Sequence, residues 1–509
     1  MDPVTLSRIQ FALTAGYHWI FVPASIGIGF MVFLLWTMAV ITNEEQWYKA
    51  AKFFSKWLGV FFVLGVPTGI VMEFEFGANW ANYSMFVGSI FGPPLMLEGL
   101  FAFALESTFL GVLLFGMDRL PRVISWIAAF FVSLGSALSG LWILIANSWQ
   151  QTPTAYIIKN TPLGPRAELT NFMKAVFNPL LVSQYTHTIN SAIITGAYIV
   201  AAVGAYYLLK KKHVQVAKSA VAIGIVVLAI SSVIQLYPTG HEEGRVIAQY
   251  QPTKLAADEG LYHTTVGAPM VVFGIVDEKN QQIKYAIEIP KMLSWLAFGN
   301  WNAKVLGLHD AAEYVWYHEV LNNPNYANEK VKKQVVDSIM KAYGINPNDP
   351  NANQKMVQVL EKSVPVAFMF YAYRVMVGLG TLFIAIGGLG VLLLLLGKLY
   401  DARWFLKVLV VTLPLPWLAG EAGWFTHEVG RQPWMVWGMV TVRNGVSSNI
   451  SATSVLITLI GFVTVYLLLF YIWLHFVKKL VREGPEPVEG DPTSKSTPAP
   501  AVSAAGGGQ

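Results

Sequence analysis

The chain has 509 residues, of which 54% are hydrophobic and only 13% charged, with a formal net charge of +5 and a mean hydropathy of +0.49. A soluble domain carries about 25% charged residues, so an ordinary globular domain is excluded. There is no cysteine, which removes disulfides, iron–sulfur clusters, thiolate haem ligation and covalent c-type haem attachment. Any metal is left to His, Met, carboxylate or backbone groups.

Crossing a hydrocarbon core takes about 20 apolar residues. Nine runs qualify in chain order, numbered here as spans 1 to 9: 13–41, 57–76, 94–117, 123–148, 184–209, 217–238, 365–397, 406–426 and 453–477. Span 1 is too long for a cleaved signal peptide and lacks a basic leader and a small-residue cleavage site. Between spans 6 and 7 lies a polar stretch, 239–364, with two helical patterns near 308–321 and 328–343. A loop of that length is functional or disordered. The Pro-, Ser- and Gly-rich segment 483–509 reads as a disordered tail. The expected organisation is therefore 1–238 (spans 1–6), the loop 239–364, 365–482 (spans 7–9) and the tail 483–509. No internal repeat is evident.

Lys and Arg in the connections set the orientation. The connections after spans 1, 3, 5 and 7, with the start of the tail, hold fifteen; the N-terminus and the connections after spans 2, 4 and 8 hold six. The N-terminus and the long loop are thus expected outside and the C-terminus in the cytoplasm. The net positive charge is this topological asymmetry and no argument for nucleic acid. The expected fold class is an all-α membrane protein: a bundle of nine transmembrane helices with one long extracytoplasmic loop.

With that topology, the ionisable groups inside the spans fall in the outer half. His18 lies near the outer end of span 1, and Glu73 and Glu75 end span 2. Glu98 and Glu106 lie on span 3, His187 starts span 5, Arg374 and Met376 lie about ten residues into span 7, and Glu421 is near the end of span 8. Charged groups inside a membrane are costly and mark function by default. Scattered polar groups can be helix-packing glue, but groups from spans 1, 3, 5, 7 and 8 at one depth point to a shared buried site.

Each residue also has a plainer role. His18, in GYHWIFVP, fits an aromatic belt; His187, in QYTHTINSAIITGAY, fits a helix cap; Met376 fits packing filler. Arg374, in FYAYRVMVG, needs an anionic partner, a carboxylate or a haem propionate. Glu98 and Glu106, at i and i+8, lie within about 80° on a helix and suit a proton relay, ligands, or a pair for Arg374. His427 stays unassigned, while most other histidines read as surface residues. A His/Met pair on two helices suits a six-coordinate b-type haem. A glutamate or lone histidine with an open face suits a ligand-binding, high-spin haem.

These residues resemble subunit I of the cytochrome bd-type quinol oxidases. The likeness runs through LSRIQFALTAGYHWIFVP, FGPPLMLEGLFAFALESTFLG, LSGLWILIANSWQQTP, QYTHTINSAIITGAY, GHEEGRVIAQYQPTKLAADEG, FYAYRVMVGLG and PLPWLAGEAGWF with GRQPW, and covers nearly all of 5–480. The resemblance implies that His187 and Met376 ligate a low-spin haem b. It implies that His18 and Glu421 each serve one of a closely spaced pair, a high-spin haem b and a haem d (or a further haem b in its place), with Glu98 beside that pair. Glu106, Ser107 and Ser139 would belong to a proton route, and Arg374 would stabilise the low-spin haem. Lys254 and Glu259 would lie in the quinol site of the long loop. The implied enzyme oxidises quinol at the outer face of the bacterial cytoplasmic (inner) membrane. It reduces dioxygen to water with cytoplasmic protons and so generates proton motive force without pumping. Its partner is a second multi-helical subunit in a heterodimer, with or without small single-helix subunits. Two rivals remain at this level. A proton-coupled transporter predicts broken mid-membrane helices and repeats. A haem b electron-transfer subunit leaves His18, Glu98 and Glu421 unexplained. His427, after EAGWF, and the tail depart from the family pattern.

Overall fold

The computed structural model describes residues 2–491. Among them, nine helices are long and apolar enough to cross a membrane: Pro3–Thr42, Glu45–Ala78, Ala81–Gly116, Arg122–Gln151, Leu181–Lys210, Val214–Tyr250, Ala352–Leu395, Arg403–Val429 and Ala452–Glu483. The nine expected spans are all there in order, but most run beyond their apolar stretches. Hydropathy marks only the part that lipid must cover, whereas a helix continues until its end groups are satisfied. Span 1 starts where the Asp2 carboxylate accepts from Thr5 N at 3.0 Å, and span 9 where Ser451 and Ser454 form a reciprocal cap.

Three breaks in regularity shape the bundle. Span 3 passes through a π-helical turn, Glu98–Phe103, just after Pro93 and Pro94. Span 6 passes through another, Gln235–Gly240, where Tyr237 leaves helical geometry. Span 7 is preceded by the helix Ala352–Ser363 and starts anew at Val366 after Pro365, because proline cannot donate its backbone N–H and disfavours helix before it. Wide π turns often sit at functional sites, and both of these carry residues discussed below.

The end of the bundle away from the long loop is close-packed. Phe21, Trp36, Phe54, Phe61 and Tyr198 are buried in one apolar cluster drawn from spans 1, 2 and 5, to which spans 3, 4, 6, 7 and 8 also contribute. Spans 1 and 5 touch backbone to backbone. A Cβ on Gly27 would lie 1.9 Å from Ala192 O, so no side chain fits there, as expected where small residues let membrane helices approach.

The segment between spans 6 and 7 is ordered. The two expected helices are present as Leu308–Tyr314, continued by a π turn to Leu321, and Glu329–Ala342. It also holds the helices Pro252–Glu259 and Met292–Phe298 and a hairpin of Met270–Asp277 with Gln282–Ile289. The expected helical bundle is there, and among the described residues the connections add four two-stranded antiparallel sheets that the all-α expectation left out. Backbone groups outside the spans still need partners, and short hairpins supply them. One hairpin, Tyr156–Thr161 with Gly164–Leu169, also anchors the long segment, since Ile158 N donates to Asn325 O at 2.7 Å.

The stretch read as a disordered tail begins as a docked strap. Glu486 sits 2.7 Å from both Lys49 and Lys52, and Val488 is buried. Burial raises the Glu486 carboxyl, but the two lysines outweigh it and hold it at about 2. Residues 492–509 lie outside the described residues.

Candidate functional site

A cavity of ≈ 1070 Å³ opens in the loop end of the bundle. Its lining takes in His18, His187 and Met376 from three spans and Lys254, Asp258 and Glu259 from the loop helix. Five of the expected site residues thus share one space, although they are spread from position 18 to position 376. Glu421 stands on span 8 beside the lining residue Gly420, with its Oε2 3.6 Å from where a Gly16 Cβ would be, two residues before His18.

The candidate ligands are oriented by hydroxyl and amide groups that the sequence reading missed. Thr68 Oγ1 donates to Gly65 O at 2.7 Å, so at 2.7 Å from His18 Nδ1 it accepts that nitrogen's proton. The hydrogen bond puts a proton on Nδ1 and leaves Nε2 as the ring atom that can ligate metal. Thr239 acts the same way on His187: it donates to Ile234 O at 2.9 Å and lies 3.3 Å from Nδ1. Gln235 Nε2 stands 3.0 Å from His187 Nε2, so a metal on that atom displaces the amide. Both Gln235 and Thr239 come from the π turn of span 6. Across the cavity, a Cβ on Gly423 would lie 2.9 Å from Met376 Sδ, and only glycine leaves the thioether that room. The donor set, the apolar volume and the preset imidazole tautomers fit haem.

Arg374 has a carboxylate partner, one of the two kinds of anion expected for it. Its carboxylate is Glu259, 3.1 Å from Nη2, rather than Glu98 or Glu106. Its other donors go to Asp258 O at 2.6 Å, Val271 O at 2.6 Å and Phe370 O at 3.2 Å. Nε is a buried donor without a protein partner. Arg374 therefore clamps the loop helix and the hairpin onto span 7, two residues from Met376.

The loop groups are held where charge is disfavoured. Lys254 is 0% exposed, and burial pushes its ammonium down to about 8 despite Asp258 and Glu243 nearby. Burial raises Asp258 and Glu259, against the pull of Lys254 on the first and Arg374 on the second.

The expected proton-route residues are partly brought together. Ser139 donates to Glu98 Oε1 at 2.6 Å, and Ser136 bonds Glu106 Oε1. Ser136 and Ser139, three residues apart on span 4, thus meet the two glutamates of span 3. Ser107 does not join them: it is exposed and donates to Phe103 O of its own helix at 2.8 Å. The missed signal was the spacing of the two serines on one helical face.

In the connection between spans 6 and 7, Glu319 is held by the Trp437 indole N–H, and Trp437 N donates to O of the cavity-lining Gln150 at 2.9 Å. Burial outweighs that indole bond and raises the Glu319 carboxyl to about 7. The folded state then binds this proton more tightly than the unfolded chain. Its stabilising effect is full below the ordinary glutamate value of 4.5 and is lost as pH rises through about 7. Hydrogen exchange of 315–321, corrected for intrinsic rates, is expected to speed up between pH 5.5 and 8.5, roughly the window around that shifted value. Glu319→Gln should remove the pH dependence. Exchange that depends on pH equally in both proteins would contradict it.

The comparisons with known proteins converge. The family model for cytochrome bd terminal oxidase subunit I matches residues 6–485. A cytochrome bd ubiquinol oxidase subunit 1 from Bacillus subtilis is 36% identical, over 97% of this chain and 98% of its own length. A cytochrome bd-II ubiquinol oxidase subunit 1 from Escherichia coli is 36% identical, over 96% and 98%. In three dimensions the chain is similar to the bd oxidase from Geobacillus thermodenitrificans, with a TM-score of 0.78 at 26% identity, covering 95% of this chain and 99% of that one.

Proposed function

The chain belongs to the cytochrome bd terminal oxidase subunit I family, and on that premise we propose that it is the haem-bearing subunit of a terminal quinol oxidase. One observation carries the reading: a single cavity joins Lys254 and Glu259 of the loop to His187, Met376 and His18 of the spans. Quinol enters at the loop and gives up two electrons and two protons. Dioxygen takes four electrons and four protons to become two waters, so two quinols serve each dioxygen.

Bound haem supplies the iron that carries electrons and binds dioxygen. His187 and Met376 hold the low-spin haem b. His18 and Glu421 each serve one member of the remaining pair, a high-spin haem b and a haem d (or a haem b in its place), and Glu98 stands beside them. Lys254 and Glu259 bind the quinol oxygens. Arg374 keeps that pocket in register with Met376, so donor and first acceptor hold a fixed distance.

The loop faces outward and the protons for water come from the cytoplasm. Glu106 with Ser136, then Glu98 with Ser139, provide two carboxyl–hydroxyl stations toward the site. Deeper in the bundle, water and the second subunit complete the route. Separation of quinol protons from water protons charges the bacterial cytoplasmic membrane without a pump. The complex, a heterodimer with or without small single-helix subunits, can be tested in sealed vesicles with short-chain ubiquinol. The expected result is dioxygen uptake with proton uptake from the side opposite the loop and release on the loop side. Dioxygen uptake drawing its protons from the loop side would overturn the sidedness, and no ubiquinol- or menaquinol-dependent uptake would overturn the oxidase.

A further inference from the structure

His427, its side chain 12% exposed, sits where span 8 meets spans 4 and 5 and the loop helix Pro252–Glu259, and it lines the same cavity as His187 and Met376. Its Nδ1 lies 3.3 Å from Lys254 Nζ, and its backbone carbonyl accepts from the same ammonium at 3.1 Å. Glu243 Oε1 is 3.6 Å from Nδ1. On the far side of the ring, Nε2 lies 3.1 Å from Asn147 Oδ1. The Asn147 amide is itself fixed: Oδ1 also accepts from Gln184 Nε2 at 2.6 Å, and Nδ2 donates to Glu428 Oε1 at 2.7 Å.

The Lys254 contact selects the tautomer. An ammonium has donors only, so Nδ1 facing it must accept. Nε2 then carries the hydrogen, which Asn147 Oδ1 accepts, although the Gln184 amide nitrogen also stands 3.0 Å from that atom. His427 is therefore a neutral imidazole whose lone pair points at Lys254. A neutral acceptor differs from a carboxylate in one respect: it anchors the lysine without neutralising it. The Lys254 charge stays available, and its remaining N–H can turn to the cavity. Asp258 Oδ1, on the next turn of the same helix as Lys254, is a buried acceptor without a protein partner among the described residues. A polar ligand entering there finds a waiting partner.

We propose that His427 is a positioning residue for quinol oxidation: its Nδ1 holds the Lys254 ammonium against the quinol oxygen that loses its proton. The inference rests on the reading above that Lys254 belongs to the quinol site, and it adds a residue whose identity the family resemblance did not lead one to expect.

The test uses the complete complex and short-chain ubiquinol, with haem spectra recorded for every variant. His427→Ala removes both ring contacts. His427→Gln reaches toward Asn147 and leaves Lys254 without the side-chain acceptor. His427→Asn places an amide oxygen near the Nδ1 position. A hydrogen bond to a charged group supports an effect on the order of tenfold or more. The expected result is a rise in quinol KM of about that size for the Ala and Gln variants, with unchanged haem spectra and a near-normal KM for Asn. Lys254→Met should raise KM by itself, and adding His427→Ala to it should do little more, because the two act through one contact.

A KM in His427→Ala within about twofold of the parent, where Lys254→Met is impaired, would overturn the His427 role alone. An Asn variant as poor as Ala would reduce His427 to packing and overturn it too. An unchanged KM in Lys254→Met would overturn the quinol assignment of Lys254 and the inference with it. Should the Ala variant fail to assemble, the contrast between Gln and Asn still decides.

Discussion

Replacing Arg374 by Ala is expected to abolish quinol oxidation, by about a hundredfold or more, and to lower thermal stability. The guanidinium answers Glu259 and three backbone carbonyls at once. Glu259 is 6% exposed, so its loss leaves a buried carboxylate with no cation, a change that costs about 3–5 kcal/mol. It also frees the loop helix from span 7, which separates Lys254 and Glu259 from Met376. Arg374→Lys should rescue little, because an ammonium lacks the planar fork that reaches several acceptors. The pair of changes Arg374→Met with Glu259→Leu should recover much of the stability, since apolar replacement of a buried pair is often neutral, while activity stays absent. Thermal unfolding and quinol oxidation measured on the same preparations separate the two effects. Arg374→Ala activity within a few-fold of the parent would show that the clamp does not set the quinol site.

The second large effect concerns the low-spin haem. His187→Ala or Met376→Leu should each abolish its spectral signature while the remaining haems stay detectable. Each side chain is held by other elements of the cavity: His187 by Thr239 and Gln235, Met376 by the space at Gly423. Met376→Leu changes volume little, a swap that cores tolerate, so the bundle should persist and the loss should be one of ligation. A low-spin signal surviving in both variants would remove these two residues from the ligand set.

The two effects share a cause that the sequence conceals. Hydropathy marked the nine spans because lipid demands apolar runs, and the depth of His18, His187, Arg374 and Glu421 within those runs was readable from position. Pairings across the bundle were not. Arg374 and Glu259 lie 115 residues apart, and nothing local to FYAYRVMVG says which carboxylate answers it. The π turns at Glu98–Phe103 and Gln235–Gly240 carry no hydropathy signal, yet they set the face on which Glu98 lies and bring Thr239 to His187. Ser107 was coupled to Glu106 through resemblance, and the helix turned it outward while Ser136 took the contact. The second strand of the hairpin, QIKYAIEI at 282–289, does show period-two alternation, a signal lost when the loop is read by its polarity. Glu486, inside a Pro-rich stretch, looked solvated because composition says nothing of the buried Lys52 that receives it.

Three of the candidate ligands, His18, His187 and Met376, converge on one cavity, and the Nδ1 atoms of both histidines are tied to threonine hydroxyls, which leaves each Nε2 as the candidate ligating atom. The most direct test is an absorption spectrum of the purified complex under anaerobic conditions, reduced first by ubiquinol or menaquinol and then by dithionite, with and without carbon monoxide. The account predicts b-type bands that quinol alone brings up, together with a haem signal, red-shifted and chlorin-like where haem d is present, that shifts on adding carbon monoxide. Folded protein with no haem bands, or with haem that dithionite reduces and neither quinol does, would contradict it.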